Sequence, residues 1–244
     1  MILVFSLATV LHVQAGEVEE TFRRANEGDP IAQNALGTMY DHGQGVPQDD
    51  QEALRWYRFA AEQGLAEAQN NIGTLFNLGQ GVPQNDEEAI KWFRLAAERG
   101  NAIGQANLGN MYANGQGVAK DFKEAFKWFR LSAEQGNAAS QQRVGLMYAN
   151  GHGVPQDIKE AAQWYRKSAE QGYAHAQFNL GVLYLNGQGL PQDYVQAHMW
   201  FNLAAANAIE NAVKARDKTA ELMTPYQIAE AQKMAREWKP LPGK

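Results

Sequence analysis

The sequence predicts an all-α fold, namely an α/α solenoid of five helix-pair repeats with a period of 36 residues. Three residue types recur at this period without insertion: a glycine in the first helix of each repeat, and an alanine and a tryptophan in the second. One helix pair cannot bury its own apolar face, so stacked pairs are expected to form a right-handed superhelix with a concave side and N- and C-terminal capping helices. The recurring residues are Gly37, Gly73, Gly109, Gly145 and Gly181; Ala53, Ala89, Ala125, Ala161 and Ala197; and Trp56, Trp92, Trp128, Trp164 and Trp200.

The first helix of each repeat, named helix A, carries an apolar face with a glycine at its edge. In the first repeat it is predicted over about residues 30–40, because Ala32, Leu36 and Met39 then share one face. A glycine inside a helix costs about 1 kcal/mol relative to alanine. The recurrence of Gly37 in every repeat therefore indicates that another helix packs too closely there for a side chain.

The second helix, named helix B, is predicted to begin at a capping box. The carboxylate of Asp49 can accept hydrogen bonds from the first turn, while Glu52 can reach back to the N–H of the cap. The same pair recurs as Asn85–Glu88, Asp121–Glu124, Asp157–Glu160 and Asp193–Gln196. Helix B is expected to bury alanines and aromatic rings, with its tryptophan filling the space between repeats. In the first repeat these residues are Ala53, Trp56, Tyr57, Ala60 and Ala61.

The repeats lie between two dissimilar end segments. Residues 1–15 are nearly all apolar up to Val13, and Val13-Gln14-Ala15 resembles a signal-peptide cleavage site; a buried first helix is the alternative. Residues 16–28 are predicted as an N-terminal capping helix. Residues 209–244 are predicted as C-terminal capping helices and a loose tail, with a helix start at Thr224-Pro225. The repeats span 29–208 and are bounded as 29–64, 65–100, 101–136, 137–172 and 173–208.

Composition narrows the classes of function. A signal peptide predicts export, to the bacterial periplasm or by secretion, and no other segment is long and apolar enough to span a membrane. The net charge is −5 and no stretch is strongly basic, which argues against a nucleic-acid or anionic-lipid surface. The chain has no cysteine, which excludes disulfides, a cysteine nucleophile and cysteine-type zinc sites.

No catalytic, metal-binding or cofactor-binding residue is predicted, so the sequence indicates a non-enzymatic protein. None of the four serines lies in an S-x-x-K or G-x-S-x-G motif. Ser132 and Ser168 stand where other repeats have a core alanine. The histidines form no H-E-x-x-H motif and are expected on solvated surface. Those considered are His42, His152, His175 and His198.

The face of helix A opposite the core is predicted to line the concave side and to bind a partner, either another protein or an extended peptide. Core positions hardly change between repeats, whereas this face grades from polar to apolar along the chain. Asparagine amides can pair with a peptide backbone, and an apolar cluster can form a binding hot spot. The candidate partner-binding residues are Asn34, Thr38, Asn70, Thr74, Asn110, Gln142, Leu146, Phe178, Val182 and Leu185.

Two alternatives for this face stay open. The C-terminal helices could fold over the apolar residues Leu146, Phe178, Val182 and Leu185, since a large exposed apolar patch is unusual on a soluble monomer. The asparagine and threonine positions of the first repeats could equally be ordinary solvated helix surface.

The repeat pattern resembles that of the Sel-1-like repeat family. From Ala32-Gln33 to Gly64 the sequence reads A-Q-x3-G-x-x-Y-x-x-G-x-G-V-P-Q-D followed by A-x-x-W-x-x-x-A-A-x-x-G, and four more copies follow. The resemblance covers residues 29–208, and Met223-Thr224-Pro225 also resembles the end of such proteins. It implies a tetratricopeptide-related solenoid that acts as a protein–protein scaffold or adaptor, here in the bacterial cell envelope.

The resemblance also implies an alternative from another class. A cysteine-rich exported branch of the family has a disulfide in each repeat and is linked to β-lactam or peptidoglycan binding or hydrolysis. This chain departs from that branch because it has no cysteine. A third hypothesis is a structural envelope protein that assembles with itself.

Overall fold

The computed structural model describes residues 16–241, which form thirteen α-helices and no strand. Residues 1–15, with the predicted signal peptide, lie outside the described residues. Helix α1 covers residues 16–26. The A helices are α2 (Pro30–His42), α4 (Ala66–Leu78), α6 (Ala102–Asn114), α8 (Ala138–Asn150) and α10 (Ala174–Asn186). The B helices are α3 (Asp50–Glu62), α5 (Asp86–Glu98), α7 (Phe122–Glu134), α9 (Ile158–Glu170) and α11 (Tyr194–Ala206), and α12 (Glu210–Ala220) and α13 (Pro225–Glu237) follow.

The chain divides into two compact units, of which the first ends at Lys120 and the second begins at Asp121. In the first unit, each B helix packs against the A helix of its own repeat and against the next A helix, so α3 contacts α2 and α4, and α5 contacts α4 and α6. In the second unit, α9 contacts α8 and α10, and α11 contacts α10 and α12. The predicted class, an all-α fold built from helix-pair repeats, is confirmed.

The glycine of helix A lies where the B helix of the same repeat makes its closest approach. A Cβ atom added at this glycine would lie between 2.5 and 2.7 Å from an aromatic ring carbon, closer than the 3.0 Å that real Cβ atoms keep. The glycine is therefore required by packing, as the sequence predicts. The contact joins Gly37 to Tyr57, Gly73 to Phe93, Gly145 to Tyr165 and Gly181 to Phe201.

The tryptophan of helix B is less buried than the sequence predicts. Trp56 and Trp200 are 6% exposed, but the other three are only partly buried. The residue after it is buried in all five repeats. It lies about 100° further around the helix and faces the glycine of helix A in four of them. In the second, third and fourth repeats the tryptophan is partly exposed, and in the fourth the Lys167 ammonium lies 4.2 Å above the Trp164 ring. The interior rings, at most 3% exposed, are Tyr57, Phe93, Phe129, Tyr165 and Phe201.

A buried glutamine links each A helix to the helix before it, which is α1 for the first repeat and a B helix for the others. The side-chain amide of Gln33 donates to the carbonyl of Ala25 at 3.2 Å, and Gln69 donates to Ala61 at 3.3 Å. A carbonyl oxygen has two lone pairs, and each of these carbonyls also accepts the N–H of a following glycine, as Ala61 does from Gly64 at 2.9 Å. The glutamine therefore supplies a second donor and ties the two helices together. The bond recurs from Gln105 to Ala97, from Gln141 to Ala133 and from Gln177 to Ala169.

The B helices are capped by one half of the predicted capping box. The carboxylate of Asp49 accepts from the N–H groups of Gln51 and Glu52 at 3.0 and 3.1 Å. The N–H of Asp49 donates to the Tyr40 carbonyl at 2.9 Å instead of to the Glu52 side chain. The reciprocal half of the prediction is therefore wrong, because the preceding A helix supplies the acceptor. The same backbone bond joins Asn85 to Phe76, Asp157 to Tyr148 and Asp193 to Tyr184.

The last helix, α13, packs against α11. It begins with a complete capping box, in which Thr224 and Gln227 bond each other's backbone N–H groups. The ring of Trp238 packs on the ring of Trp200 with the centroids 6.3 Å apart. The N–H of Leu241 donates to the Glu170 carbonyl at 2.7 Å, so the tail is bound as far as Leu241, in contrast to the expected loose tail.

Substitution of Gly73 by alanine is expected to destabilise the chain by about 1–3 kcal/mol, because the added methyl group overpacks the Phe93 ring. Helix propensity alone predicts the opposite sign, by about 1 kcal/mol. Urea denaturation measures the difference. The control is Gly73→Ala in a Phe93→Leu background, where the smaller side chain should recover part of the loss. If Gly73→Ala instead stabilises the chain, the contact with the Phe93 ring does not require a glycine at position 73.

Asp157→Ala is expected to lower the free energy of unfolding by about 1 kcal/mol, because the N–H groups of Lys159 and Glu160 lose their acceptor. Asp157→Asn should keep most of the stability, since its amide oxygen also accepts. Glu160→Ala should cost less than Asp157→Ala, because the cap N–H already bonds to Tyr148. Thermal denaturation compares the three variants. An equal loss of stability from Glu160→Ala would contradict a cap in which Asp157 accepts hydrogen bonds but Glu160 makes no reciprocal bond.

Candidate functional site

The candidate partner-binding residues lie on A helices in both units, and the structure leaves most of them partly exposed. Asn70 and Gln142 are the most buried, at 7% and 8% exposed. The others are half-buried. In the first unit the residues are Asn34 and Thr38 on α2, Asn70 and Thr74 on α4, and Asn110 on α6. In the second unit they are Gln142 and Leu146 on α8, and Phe178, Val182 and Leu185 on α10.

In the first unit, asparagines of neighbouring A helices pair side chain to side chain. The amide N–H of Asn71 donates to the Asn34 side-chain oxygen at 3.0 Å. One repeat further on, Asn107 donates to Asn70 at 2.9 Å. Each pair uses one donor and one acceptor, which leaves the amide N–H of the first asparagine and the oxygen of the second for another group.

Two members of these pairs, Asn71 and Asn107, were not among the residues selected from the sequence. Each comes one residue after a position that the i, i+4, i+7 spacing places on the concave face of helix A. Each bonds to a residue 37 positions earlier in the chain. The signal was present, because both asparagines occupy the same place in successive repeats. The pairing itself depends on how closely two A helices approach, which spacing along one helix does not give.

The threonines of this face are already bonded within the chain. The hydroxyl of Thr38 donates to the Asn34 carbonyl at 3.1 Å, and Thr74 donates to the Asn70 carbonyl at the same distance. The hydroxyl group of Tyr57 lies 3.2 Å from Thr38 and 3.3 Å from the Asp41 carboxylate. Burial and the charge of Asp41 raise the pKa of Tyr57 far above its ordinary value. The threonines therefore serve the packing of α2 and α4 more than an open binding surface.

In the second unit, the apolar residues share one face of α10. The ring of Phe178 packs on the interior ring of Phe201, with the centroids 5.5 Å apart. Val182 and Leu185 follow at i+4 and i+7 and are half-buried, as is Leu146 on α8. Both α12 and α13 pack against α11, and they leave part of each of these side chains accessible. Phe178 is thus partly a core residue.

Three serines and one histidine are buried in the structure. Ser132, Ser140 and Ser168 are at most 1% exposed, and the hydroxyl groups of Ser132 and Ser140 are 2.8 Å apart. Ser132 and Ser168 take the core positions that the sequence predicts. His198 is only 2% exposed, so the expectation of a solvated side chain was wrong there. Burial, together with the charge of Arg216, lowers the pKa of His198.

Two general features of residues 16–241 bear on function. No cluster of three or more histidine, aspartate or glutamate side chains in this range could hold a metal ion. No helix in this range is long and apolar enough to cross a membrane.

Comparison with solved structures gives similar chains. A Sel1 repeat protein from Oxalobacter formigenes is 32% identical, with a TM-score of 0.75 over 94% of this chain and 99% of that chain. A protective antigen of uropathogenic Escherichia coli strains, which displays an SLR fold, is 31% identical, with a TM-score of 0.62 over 92% of this chain and 56% of that chain. An immunity protein from Pseudomonas aeruginosa is 22% identical, with a TM-score of 0.53 over 82% and 80%, and is similar in fold alone.

No curated protein matches the sequence significantly. A family model described as the Sel1 repeat matches five consecutive segments, which together take up most of the chain. The segments are 30–65, 66–101, 102–137, 138–173 and 174–208. Because these segments coincide with the helix pairs, and the solved Sel1 repeat protein covers almost the whole chain, this chain belongs to the Sel1 repeat family.

Proposed function

We propose that this chain is a non-catalytic scaffold that holds another protein, and that the asparagine pairs of the first unit bind an extended segment of that partner. Sel1 repeats mediate protein–protein interaction, and the family typically forms non-catalytic scaffolds. The proposal for this chain depends on the two asparagine pairs, in each of which a side-chain hydrogen bond joins neighbouring A helices.

The chemistry of an amide pair suits a peptide backbone. The free N–H of Asn34 can donate to a peptide carbonyl, and the free oxygen of Asn71 can accept from a peptide N–H. Asn70 and Asn107 offer the same two groups one repeat further on. Since the backbone is the same in every peptide, these pairs would hold a segment in place and leave sequence selectivity to other contacts.

The apolar face of α10 supports a second contact region, in the second unit. Val182 and Leu185 are half-buried and lie on one side of the helix. Burial of a partly exposed aliphatic side chain under an apolar group of the partner is favourable by about 25 cal/mol per Å². We propose this face as a site for an apolar side chain of the partner.

Photo-cross-linking in intact cells tests the scaffold proposal. A photoreactive amino acid at position 110, on the proposed face of α6, should form an adduct with one partner protein. The same residue at position 91, an exposed lysine of α5, should not. The double variant Asn71→Ala, Asn107→Ala should reduce the adduct at position 110 severalfold. It removes the donor of each asparagine pair and also the side-chain oxygen proposed to accept from the peptide N–H.

The matched control is Asn114→Ala, which removes an exposed amide that bonds to Gln116 at the end of α6 and should leave the adduct unchanged. Equal adducts from positions 110 and 91 would contradict the proposed face. An adduct of the chain with itself, together with a size in solution that rises with concentration, would favour self-assembly. Circular dichroism establishes that every variant is folded.

We also propose that the chain is exported into the bacterial envelope, supported by the apolar character of residues 1–15 and by Val13-Gln14-Ala15. Protein isolated from the periplasmic fraction is expected to begin at Gly16 by N-terminal sequencing. Substitution of Ala15 by a bulky residue should block the cleavage. Uncleaved protein confined to the cytoplasmic fraction would contradict the proposal.

A further inference from the structure

A cleft of about 440 Å³ opens in the second unit, between α11, α12 and α13. Its polar wall comes from His198 and Asn202 on α11, Arg216 and Asp217 on α12, and Gln232 and Arg236 on α13. Ala220 and Ile228 supply an apolar part of the wall. This cleft lies on other helices than the A-helix face proposed for the protein partner.

Three of the six polar residues of the cleft, namely His198, Arg216 and Asp217, stand in register with core positions of the repeats. Arg216 follows the buried aliphatic residues of the A helices by one period, and Asp217 follows the glycines. His198 takes the place of an apolar residue of helix B. The residues that precede Arg216 in register are Leu36, Ile72, Leu108, Val144 and Leu180, and those that precede His198 are Leu54, Ile90, Phe126 and Ala162.

His198, which lines the cleft, has a buried polar atom without a hydrogen-bond partner in the described part of the chain. The residue is 2% exposed, and its buried Nδ1 atom has no hydrogen-bond partner among residues 16–241. Buried polar atoms are nearly always paired, and an unpaired one is costly for folding. An apolar residue would pack at this position without that cost, as it does in the other four repeats. The histidine is therefore unexplained by stability.

The charges of the cleft leave one cation without an acidic partner. Arg216 donates to the Asp217 carboxylate at 2.9 and 2.8 Å and lies 3.4 Å from the Asn202 oxygen, so these two charges balance. Arg236 lines the same cleft, and no acidic side chain in the described part of the chain pairs with it. With His198 neutral, the cleft has a net charge of one positive unit, which matches a monoanion.

We propose that this cleft binds a monocarboxylate with a short aliphatic portion, held by its carboxylate at Arg236 and Gln232 and by its aliphatic part against Ile228. A guanidinium group pairs with a planar carboxylate through two parallel hydrogen bonds. The carboxylate of Asp217 disfavours a more highly charged anion such as phosphate. Two sources share this chemistry, namely a free aliphatic acid and the C-terminal carboxylate of a peptide.

Binding is measured by isothermal titration calorimetry and by the imidazole signals of His198 in nuclear magnetic resonance spectra. The probes are hexanoate, its amide, inorganic phosphate, and an acetylated tripeptide ending in leucine with a free or an amidated C-terminus. We expect saturable binding of hexanoate or of the free-acid peptide, with a shift of the His198 signals. Both amides should fail to bind. Binding of the peptide alone would identify a polypeptide C-terminus as the source, and binding of hexanoate a free acid.

Arg236→Gln should weaken carboxylate binding by about tenfold or more, the effect of losing a charge-assisted pair. The matched control is Lys233→Gln, which removes an exposed cation from the same helix and should change the affinity by less than about twofold. His198→Leu restores the residue type of the other repeats and should raise the melting temperature while weakening binding.

Three results would overturn the proposal. The first is the absence of saturable binding by both hexanoate and the free-acid peptide to wild-type protein. The second is equal weakening by Arg236→Gln and Lys233→Gln. The third is tighter binding of phosphate than of either carboxylate. Undiminished binding by His198→Leu would contradict the expectation that the imidazole, which lines the cleft, contributes to binding.

Discussion

The close contact between the glycine of helix A and the aromatic ring of helix B is the constraint on which the rest of each repeat depends. A ring fits against the A helix only where no Cβ atom stands in the way. This contact sets the rotation of helix B, because the interior ring must point at the glycine. The positions of the other helix B side chains follow from that rotation: the alanines face the core, and the tryptophan beside the ring is partly exposed in three of the five repeats. The helical cost of the glycine, about 1 kcal/mol, is offset by the apolar area that the ring buries.

Two recurring hydrogen bonds join successive helices, and in both the acceptor is a backbone carbonyl. The buried glutamine binds the end of the previous helix, and the cap residue of helix B binds the carbonyl of the A helix before it. Both hydrogen bonds recur along the chain and use neither the side chains nor the backbone of the outer face of helix A, although some residues of that face, such as Thr38 and Phe178, take part in packing. That face is consequently where the repeats differ from one another. A family whose repeats mediate protein–protein interaction can vary its surface in this way while the stacking residues stay the same.

The C-terminal end departs from the repeat pattern in a physically consistent way. After α12, the helix α13 packs on α11, so the place next to α12 is not filled as it is beside an A helix in a complete repeat. Most residues around this space are polar, and Arg216, Asp217 and His198 stand where the repeats have apolar residues and glycine. A charged pair and a buried imidazole are poor core residues. These residues, which differ from those of the repeats, line the same cleft at which the helix packing differs from that of the repeats. This coincidence supports the proposed role in binding.

The sequence by itself determined the repeat period, the succession of helices, the start of each B helix and the close approach at the glycine, since these depend on spacing along the chain and on local hydrogen bonds. Among the candidate binding residues it indicated Asn34 and Asn70 but not their partners Asn71 and Asn107. Only the tertiary structure decided that Tyr57 and not Trp56 contacts the glycine of helix A, that Tyr40 accepts from the cap N–H, and that His198 is buried at a cleft. Each of these outcomes depends on which groups meet across two helices, and such distances follow from packing in three dimensions rather than from the pattern of residues along one helix.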